Sequence, residues 1–325
     1  MKEVKIIGIG SGIPDNIMTN DDLSKIVDTS DEWITTRTGI KERRISKGEN
    51  TSDLAAKAVM KALKMSDTKP EEIDMIILST SSPDALSPST ACFVQDKIGA
   101  VNASCFDISA ACSGFVYALR IGAQFIKTGE CKKVLVIGAE VLSKITDWTD
   151  RSTCVLFGDG AGAAVLAESD EKGVSSIFTG AQGNKAGYLG ITCVPVKNPL
   201  VKPEEIENIK LHMDGKEVFR FASSIVIEAI DKVLKDSGLT MDDIKYVIPH
   251  QANVRIIEYA VKKLKAPEGK FYINLDKYGN TSAASIPIAL AEMNEKGLIK
   301  KGDKLILVAF GAGFTWSACL VEWNI

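Results

Sequence analysis

Cys112 and His250 are the two residues whose types and settings most directly suggest chemistry. Cys112 lies in Ile108–Phe115, where an apolar, strand-like run changes into a helical pattern among small residues. A thiol at this position is expected at the N-terminus of a helix, where unpaired N–H groups and the helix dipole favour the thiolate. His250 follows the apolar run Tyr246–Ile248 in a polar turn. A cysteine with a histidine distant in sequence is a recurring arrangement for covalent catalysis, although a free cysteine is more often a small core residue.

Two further segments could supply hydrogen-bond donors to the same chemistry. Asn280 precedes a predicted helix rich in small residues, so its amide could face developing negative charge or simply cap the helix. Gly311–Gly313 follows the predicted strand Leu305–Phe310 and could offer a backbone N–H beside Cys112, or form an ordinary tight turn. His212 has no comparable neighbours, and we interpret it as structural or exposed.

The composition and the short motifs exclude several classes of function. The net charge of -3, from 39 basic and 42 acidic residues, argues against wholesale nucleic-acid binding. No segment is typical of a signal peptide or a membrane span, so we expect a cytoplasmic protein. The glycine-rich loops Gly8–Ile13 and Phe157–Gly162 lack the dinucleotide pattern, and no nucleotide cofactor is predicted.

The cysteines are odd in number and widely spaced, with no CxxC pair, so neither paired disulfides nor a zinc site is expected. In a reducing compartment most of them should be buried free thiols. They are Cys92, Cys105, Cys112, Cys131, Cys154, Cys193 and Cys319.

An internal repeat organises the chain. A shift of 171 residues (225 − 54) brings Leu54–Ser79 into register with Ile225–His250 without a gap, and each segment predicts an amphipathic helix, an acidic turn and an apolar strand. Two similar α/β halves predict stacked layers of helix, sheet, helix, sheet and helix. We place the halves at 1–170 and 171–325, and we interpret residues of about 151–215 as the end of the first half plus an irregular connection. Because ligand sites gather at strand ends where halves meet, Cys112, His250 and Asn280 are expected to converge.

The ordered motifs resemble those of the β-ketoacyl-acyl-carrier-protein synthase III family, the condensing enzymes that initiate bacterial fatty-acid synthesis. The resemblance covers nearly the whole chain through segments 28–43, 110–115, 157–166, 249–257, 279–285 and 310–316. It implies an internally duplicated, five-layer αβαβα thiolase-like fold and a homodimer. It also implies an acyltransferase without a cofactor or metal, in which coenzyme A enters as part of the acyl-coenzyme A substrate.

The resemblance further implies a role for each candidate residue. Cys112 takes the acyl group, and malonyl-acyl carrier protein is the second substrate. His250 and Asn280 hold the malonyl thioester oxygen during decarboxylation, and the backbone N–H groups of Cys112 and Ala312 hold an oxyanion. The residues implied in coenzyme A binding are Thr29, Trp33, Arg37, Arg151, Phe219, Ala252 and Asn253. Those implied in carrier-protein docking are Arg220, Arg255, Lys262 and Lys263. Without the resemblance, we would interpret Lys262 and Lys263 as part of a solvated helix face.

Two positions depart from the family pattern. Ala312 replaces the middle glycine of a triplet, so its added methyl bears on the local backbone geometry. Ser87 stands where members that prefer acetyl primers often carry phenylalanine. We therefore predict that Ser87, with Phe310, shapes a primer pocket that accepts branched or longer acyl groups.

The alternatives fit the residues less well. A thiolase would need a second active-site cysteine, yet Cys319 lies in an apolar, strand-like run. Elongating condensing enzymes pair the cysteine with two histidines, whereas Asn280 takes one of those places here. Hydroxymethylglutaryl-coenzyme A synthase and plant-type polyketide synthases share the cysteine and histidine, but their other motifs match less closely. A condensing enzyme that loads a specialised polyketide starter is the nearest rival, and a non-catalytic acyl or carrier-protein binding subunit remains open.

Overall fold

The structure is a computed structural model that describes residues 2–192, 198–200 and 211–325. Its helices are α1 Asn20–Leu23, α2 Asp31–Thr38, α3 Thr51–Met65, α4 Thr90–Ile98, α5 Gly114–Lys127, α6 Gly215–Ser237, α7 Val254–Leu264, α8 Leu275–Tyr278 and α9 Ser285–Glu295. Its strands are β1 Glu3–Gly12, β2 Ile17–Thr19, β3 Glu42–Arg44, β4 Met75–Ser79, β5 Ser104–Ile108, β6 Lys133–Glu140, β7 Gly160–Ser169, β8 Val174–Ala181, β9 Leu189–Ile191, β10 Leu211–Met213, β11 Tyr246–Pro249, β12 Lys304–Gly311 and β13 Thr315–Glu322.

Two mixed sheets form the framework. The first has the strand order β1-β7-β6-β4-β5 and the second β11-β12-β13-β8. Within the first sheet β4 pairs in parallel with β5 and β6, and in the second β11 pairs in parallel with β12. The strands β4, β6, β11 and β12 are buried almost throughout, which is the expected result when both faces of a sheet are covered by helices.

Three apolar clusters separate the layers, which confirms the predicted five-layer architecture. One cluster lies between the sheets and includes the inward faces of α5 and α9, while two others lie under the outer helices α3 and α4 and under α6 and α7. Helix α9 is buried at every position from Ser285 to Met293, because it has a protein layer on each side.

The elements that surround the strand ends recur at the spacing of the repeat found in the sequence. In four pairs of elements, the two members begin 171 residues apart. The pairs are β4 and β11, the 3-10 turns Ala111–Ser113 and Ser282–Ala284, helices α5 and α9, and strands β6 and β12. Ala111 and Ser282, which start the two turns, share a left-handed backbone with φ of +46° and +47°. The two halves therefore place the same turn and helix start at equivalent strand ends.

The region 151–215 contains the expected end of the first half, but its remainder is more regular than the irregular connection that we expected. It contains β7 and β8, which belong to different sheets, and the short pair β9 and β10. The reason is that β7 pairs in the first sheet and β8 in the second, so about half of the described residues of this region lie in strands. Residues 193–197 and 201–210 of that connection, Cys193 among them, lie outside the described residues.

The expectation that most cysteines are buried is wrong for the described residues. Cys131, Cys154 and Cys319 are buried, but Cys92 is exposed on α4, and Cys105 and Cys112 are intermediate. Cys105 lies on β5, the outermost strand of its sheet, where one side lacks a neighbouring strand. In the same ranges no helix is both long enough and apolar enough to cross a bilayer.

Candidate active site

A cavity of about 1190 Å³ opens where the ends of the two sheets meet. Cys112, from the first half, lines it together with His250 and Asn280 from the second half. Ala312 and Phe310 are further lining residues. The structure thus brings together the residues that the repeat predicted would converge.

The turn that carries Cys112 is packed tightly against the end of β12. A Cβ atom on Gly311 would come within 2.7 Å of the Cys112 backbone nitrogen, so only glycine allows this approach. The Thr315 hydroxyl lies 3.2 Å from the Ala110 carbonyl and 3.0 Å from the Ala312 carbonyl. It therefore links the Cys112 segment of the first half to the glycine-rich turn of the second.

Ala312 fits that turn without strain. Its own φ lies outside the left-handed region, and it is Gly313, the next residue, that takes a φ of +127°. The extra methyl relative to glycine therefore imposes no conformational cost at this position. The methyl group of Ala312 is therefore compatible with the backbone geometry of the turn.

His250 is held at the end of β11 in a defined orientation. Its backbone N–H donates to the Val308 carbonyl at 2.7 Å, and its ring Nδ1 lies 2.7 Å from the Ser285 hydroxyl oxygen. The ring also meets Phe310 edge to face, with centroids 5.5 Å apart. Burial lowers the pKa of His250 to about 3, so the imidazole is neutral at physiological pH.

Asn280 lines the cavity, and its backbone groups and side-chain oxygen all have partners. Its backbone N–H donates to the Leu156 carbonyl at 2.8 Å, and its carbonyl accepts from Gly158 at 3.0 Å. The side-chain Oδ1 accepts from the Ser282 N–H at 2.8 Å. Among the described residues none accepts from its NH₂ group, and Asn280 lines the cavity, so this group is available to donate to a bound negative charge.

The protonation state of Cys112 differs from the thiolate that its place before a helix suggested. Part of its surface faces the cavity, yet burial raises its pKa to about 12, against which a hydrogen bond from Ser282 acts in the other direction. The nearby carboxylate of Glu140 raises the pKa further. In the free chain Cys112 is therefore a neutral thiol at pH 7.

Glu140 is a buried carboxyl group at the end of β6. Its oxygens accept from the Ser81 N–H at 3.1 Å and from the Thr80 hydroxyl at 3.2 Å, and also from the Ser82 hydroxyl. Burial raises its pKa, which these hydrogen bonds and one from Ser282 oppose. The carboxyl group thus anchors the loop after β4, whose residues line one wall of the cavity.

The residues predicted to bind coenzyme A fall into two groups. Phe219, Ala252 and Asn253 line the cavity. Thr29, Trp33, Arg37 and Arg151 lie apart from the described cavity lining, and both guanidinium groups sit over the Trp33 ring, at 4.5 Å for Arg37 and 5.2 Å for Arg151. The Asn253 side chain joins the groups by donating to the Arg37 carbonyl at 3.1 Å.

The four residues predicted to dock a carrier protein are exposed on α6 and α7. Arg220 pairs with Glu217 at 3.0 Å within α6, and the Lys263 ammonium lies 5.5 Å from the Tyr259 ring. Helix α7 ends with Lys262 and Lys263 in its last turn. The positive charge therefore faces solvent on this side of the molecule.

The predicted primer-pocket residues differ in position. Phe310 lines the cavity, whereas Ser87 is exposed and is not among the described lining residues. Its neighbours Ala85, Leu86 and Ser89 do line the cavity, although Leu86 is 82% exposed. The segment around Ser87 thus forms an open edge of the cavity in the single chain.

Ser285, Glu140 and Thr315 support the site but were not singled out from the sequence. A signal for Ser285 was present in the repeat, which pairs it with Gly114 and pairs His250 with Ser79. No comparable signal marks Glu140 or Thr315, because their role depends on which strand ends meet in space.

Comparison with known proteins identifies the family. The model of the 3-oxoacyl-[acyl-carrier-protein] synthase III family matches residues 106–183, and the model of its C-terminal part matches residues 234–323. The β-ketoacyl-[acyl-carrier-protein] synthase III of Clostridium acetobutylicum is 55% identical over 324 residues, which cover 100% of both chains.

Solved structures agree with the sequence comparison. The crystal structure of 3-oxoacyl-[acyl-carrier-protein] synthase III from Aquifex aeolicus has a TM-score of 0.91 and 48% identity, covering 98% of this chain and 100% of that one. The priming β-ketosynthase from the R1128 polyketide biosynthetic pathway has a TM-score of 0.93 and 35% identity, covering 99% and 97% of the two chains. The chain therefore belongs to the β-ketoacyl-[acyl-carrier-protein] synthase III family of condensing acyltransferases.

Proposed function

We propose that the chain catalyses the decarboxylating condensation of an acyl-coenzyme A primer with malonyl-acyl carrier protein, and so initiates fatty-acid synthesis. The observation that carries the proposal is the meeting of Cys112, His250 and Asn280 on one cavity. A nucleophile and two neutral donors suit a reaction that builds an acyl-enzyme and then an enolate. No metal or cofactor is needed for either step.

In the first half-reaction the Cys112 sulfur attacks the primer thioester carbon. The bond from that carbon to the sulfur of coenzyme A breaks, and the proton lost by the thiol balances the one gained by coenzyme A. The backbone N–H groups of Cys112 and Ala312 hold the tetrahedral oxyanion. Close packing of the Cys112 turn against Gly311 supports this assignment, since it brings the two backbone segments side by side.

In the second half-reaction malonyl-acyl carrier protein loses carbon dioxide. The electron pair of the broken C–C bond forms an enolate, whose oxygen accepts from His250 Nε2 and Asn280 Nδ2. The enolate carbon then attacks the acyl-Cys112 carbonyl, and the bond from that carbon to the Cys112 sulfur breaks. β-Ketoacyl-acyl carrier protein is the product, and the Cys112 thiolate that is left takes up a proton from water to restore the thiol. Decarboxylation needs no general base, which agrees with a His250 whose pKa is too low for that role.

We assign coenzyme A binding to the cluster around Trp33 and to the cavity mouth. An indole and a guanidinium can hold a purine between them by stacking and cation–π attraction. Arg37 and Arg151 already lie over the Trp33 ring. In this assignment the pantetheine arm of coenzyme A runs towards Cys112 along Thr29, Phe219, Ala252 and Asn253.

The basic face of α6 and α7 is assigned to the acidic carrier protein. Arg220, Arg255, Lys262 and Lys263 are exposed there, in a chain whose overall charge is slightly negative. Such a local patch steers a charged partner and orients it. We place the reaction in the cytoplasm and divide the chain at 170 and 171.

We further propose a homodimer in which a second copy covers the segment around Ser87. β5 is an edge strand of the first sheet, and Leu86 beside Ser87 is 82% exposed. An unpaired strand edge and an exposed apolar side chain are both typical of a surface that pairs with another chain. In the dimer Ser87 would border the partner's primer pocket, and its small size would allow branched or longer primers.

A labelled-primer experiment tests the function directly. Incubation with radiolabelled acyl-coenzyme A should give a covalent adduct that Cys112→Ser abolishes. Addition of malonyl-acyl carrier protein should then release labelled β-ketoacyl-acyl carrier protein. A chain that gives no adduct is a binding subunit, and one that gives an adduct without condensation is a simple acyltransferase.

A starter-loading role in a polyketide pathway is the second candidate, favoured by the likeness to the R1128 priming ketosynthase. The chemistry of both candidates is the same, so the primer and the carrier protein distinguish them. A panel of acetyl, butyryl, isobutyryl and longer primers, assayed with a fatty-acid carrier protein, would identify the preferred pair. Use of acetyl-coenzyme A alone would refute the pocket assignment of Ser87.

A further inference from the structure

We infer that Ser285 is a positioning residue that keeps the proton of His250 on Nε2, and this inference rests on the function proposed above. Ser285 begins α9, and its hydroxyl oxygen lies 2.7 Å from His250 Nδ1. Both residues are 2% exposed. The contact is therefore shielded from water, which could otherwise replace either partner.

Hydrogen-bond accounting gives the direction of this contact. The Ser285 oxygen accepts from the Gln251 backbone N–H at 3.4 Å. If it also accepted from Nδ1–H, its own proton would have no acceptor among the described residues. A buried hydroxyl without an acceptor is unfavourable, whereas donation from Ser285 to an unprotonated Nδ1 satisfies every group. The neutral imidazole then carries its proton on Nε2.

This tautomer is the one that the proposed reaction needs. His250 lines the cavity, and its Nδ1 is occupied by Ser285, so Nε2 is the ring nitrogen available to a bound thioester. A neutral imidazole donates to an enolate oxygen only from a protonated nitrogen. Burial keeps the ring neutral, so the choice of tautomer decides whether it donates into the cavity.

The internal repeat shows that the pair is specific to the second half. At the equivalent positions the first half has Ser79 at the strand end and Gly114 at the helix start. The Ser79 hydroxyl is buried and has no hydrogen-bond partner among the described residues, and a Cβ on Gly114 would lie 1.7 Å from it. The first half therefore fills this space from the strand, whereas the second half fills it from the helix and uses the hydroxyl to hold a histidine.

Imidazole nitrogen NMR can test the assignment, because the chain has only two histidines. In ¹⁵N-histidine-labelled protein, long-range proton–nitrogen spectra of the wild type should show His250 as the Nε2–H tautomer. His212→Gln identifies the second set of signals. In Ser285→Ala we expect a mixture of tautomers or the Nδ1–H form, and in Ser285→Thr, which keeps the hydroxyl, the Nε2–H form.

The two half-reactions supply an independent readout. Ser285→Ala should acylate Cys112 at the wild-type rate but condense about 10- to 100-fold more slowly, by analogy with the loss of activity when the partner that orients a metal-bound histidine is removed. Ser79→Ala removes the equivalent hydroxyl of the first half and should leave both rates and the tautomer unchanged.

Two results would overturn the inference. One is a wild-type His250 protonated on Nδ1, and the other is an Nε2–H tautomer that persists in Ser285→Ala whatever its rate. Absence of an acyl-Cys112 adduct in the wild type would instead refute the proposed function, while the spectra would still report the tautomer. Should Ser285→Ala fail to fold, the wild-type spectrum alone decides between the two tautomers.

Discussion

The three side chains at the centre of the site are all uncharged in the free chain. Burial raises the pKa of Cys112 to about 12 and lowers that of His250 to about 3, and Asn280 is neutral by its chemistry. Charge therefore appears only when a substrate arrives or a bond breaks. Fixed neutral donors in a buried site stabilise such charge without having to reorient.

The raised pKa of Cys112 predicts how its reactivity depends on pH. Because the thiolate is the nucleophile and its fraction is small below pH 12, alkylation by iodoacetamide should speed up about tenfold per pH unit from pH 7 to 9. Site-resolved mass spectrometry separates Cys112 from the exposed Cys92. A rate that is already constant above pH 7 would show instead that the helix end has lowered the pKa.

The lowered pKa of His250 predicts a loss of stability in acid. Between pH 6.5 and about 3 the unfolded chain binds a proton at this residue and the folded chain does not, so the stability present above pH 6.5 falls as the pH falls. From pH 7 to 5 the wild type should lose about 2 kcal/mol more free energy of unfolding than His250→Gln. Urea titrations at both pH values measure this, with the exposed His212→Gln as the control.

The His212→Gln control should lose as much free energy of unfolding as the wild type between pH 7 and 5. If His250→Gln were as acid-sensitive as the wild type, burial of the neutral imidazole would not be the cause of the loss.

At the scale of elements, the site depends on how closely helix starts approach strand ends. A Cβ on Gly138 of β6 would lie 2.2 Å from the Ala283 carbonyl, and one on Gly311 of β12 would lie 2.7 Å from the Cys112 nitrogen. Each half thus packs its strand end against the 3-10 turn of the other half. Small residues at these positions are what allow the reactive groups of both halves to share one cavity.

The start of α5 offers a direct test of this packing. In Gly114→Ala the new methyl would lie 2.8 Å from the Ser79 Cβ and closer still to its hydroxyl, so we expect a loss of about 1–3 kcal/mol in the free energy of unfolding. Denaturation by urea measures it. Combining the change with Ser79→Gly removes the opposing atoms and should restore part of the loss, whereas equal losses in the single and double variants would place the strain elsewhere.

At the scale of the whole molecule, the basic face of α6 and α7 lies on elements of the second half, whereas both halves line the cavity. Lys262 and Lys263 end α7, whose first residues follow directly on the cavity-lining Ala252 and Asn253. A partner docked on this face would therefore stand close to the cavity mouth. If the carrier protein docks there, as proposed, its recognition is separate from the chemistry at Cys112.

Charge reversal on α7 tests that separation. Lys262→Glu with Lys263→Glu should lower kcat/KM for malonyl-acyl carrier protein about tenfold at low salt, and less at high salt, because the pair steers an acidic partner. Acylation of Cys112 by acyl-coenzyme A should not change. The matched control is Lys300→Glu with Lys301→Glu, an exposed pair near the far end of β12 from the cavity. An equal effect of the control pair would mean that only net charge matters.

Much of this organisation was predictable from the order of residues in the chain. Helix and strand periodicity repeats at 171 residues, so the pattern predicted two α/β halves and placed Cys112, His250 and Asn280 at equivalent element ends. The strands of 151–215 were missed, because glycine, proline and charged residues there hide short edge pairings such as β9 with β10. Sheet pairing depends on distant partners, which local patterns do not contain.

The sequence by itself determined the reactive residue types, their repeat-related positions and the family to which the chain belongs. Only the tertiary structure decided the protonation states of Cys112 and His250, because desolvation depends on every layer packed around a group. It alone also placed Ser285 against His250 Nδ1 and left Ser87 at an open edge of the cavity. Such contacts join residues that are distant along the chain, and they exist only once the two halves have closed on each other.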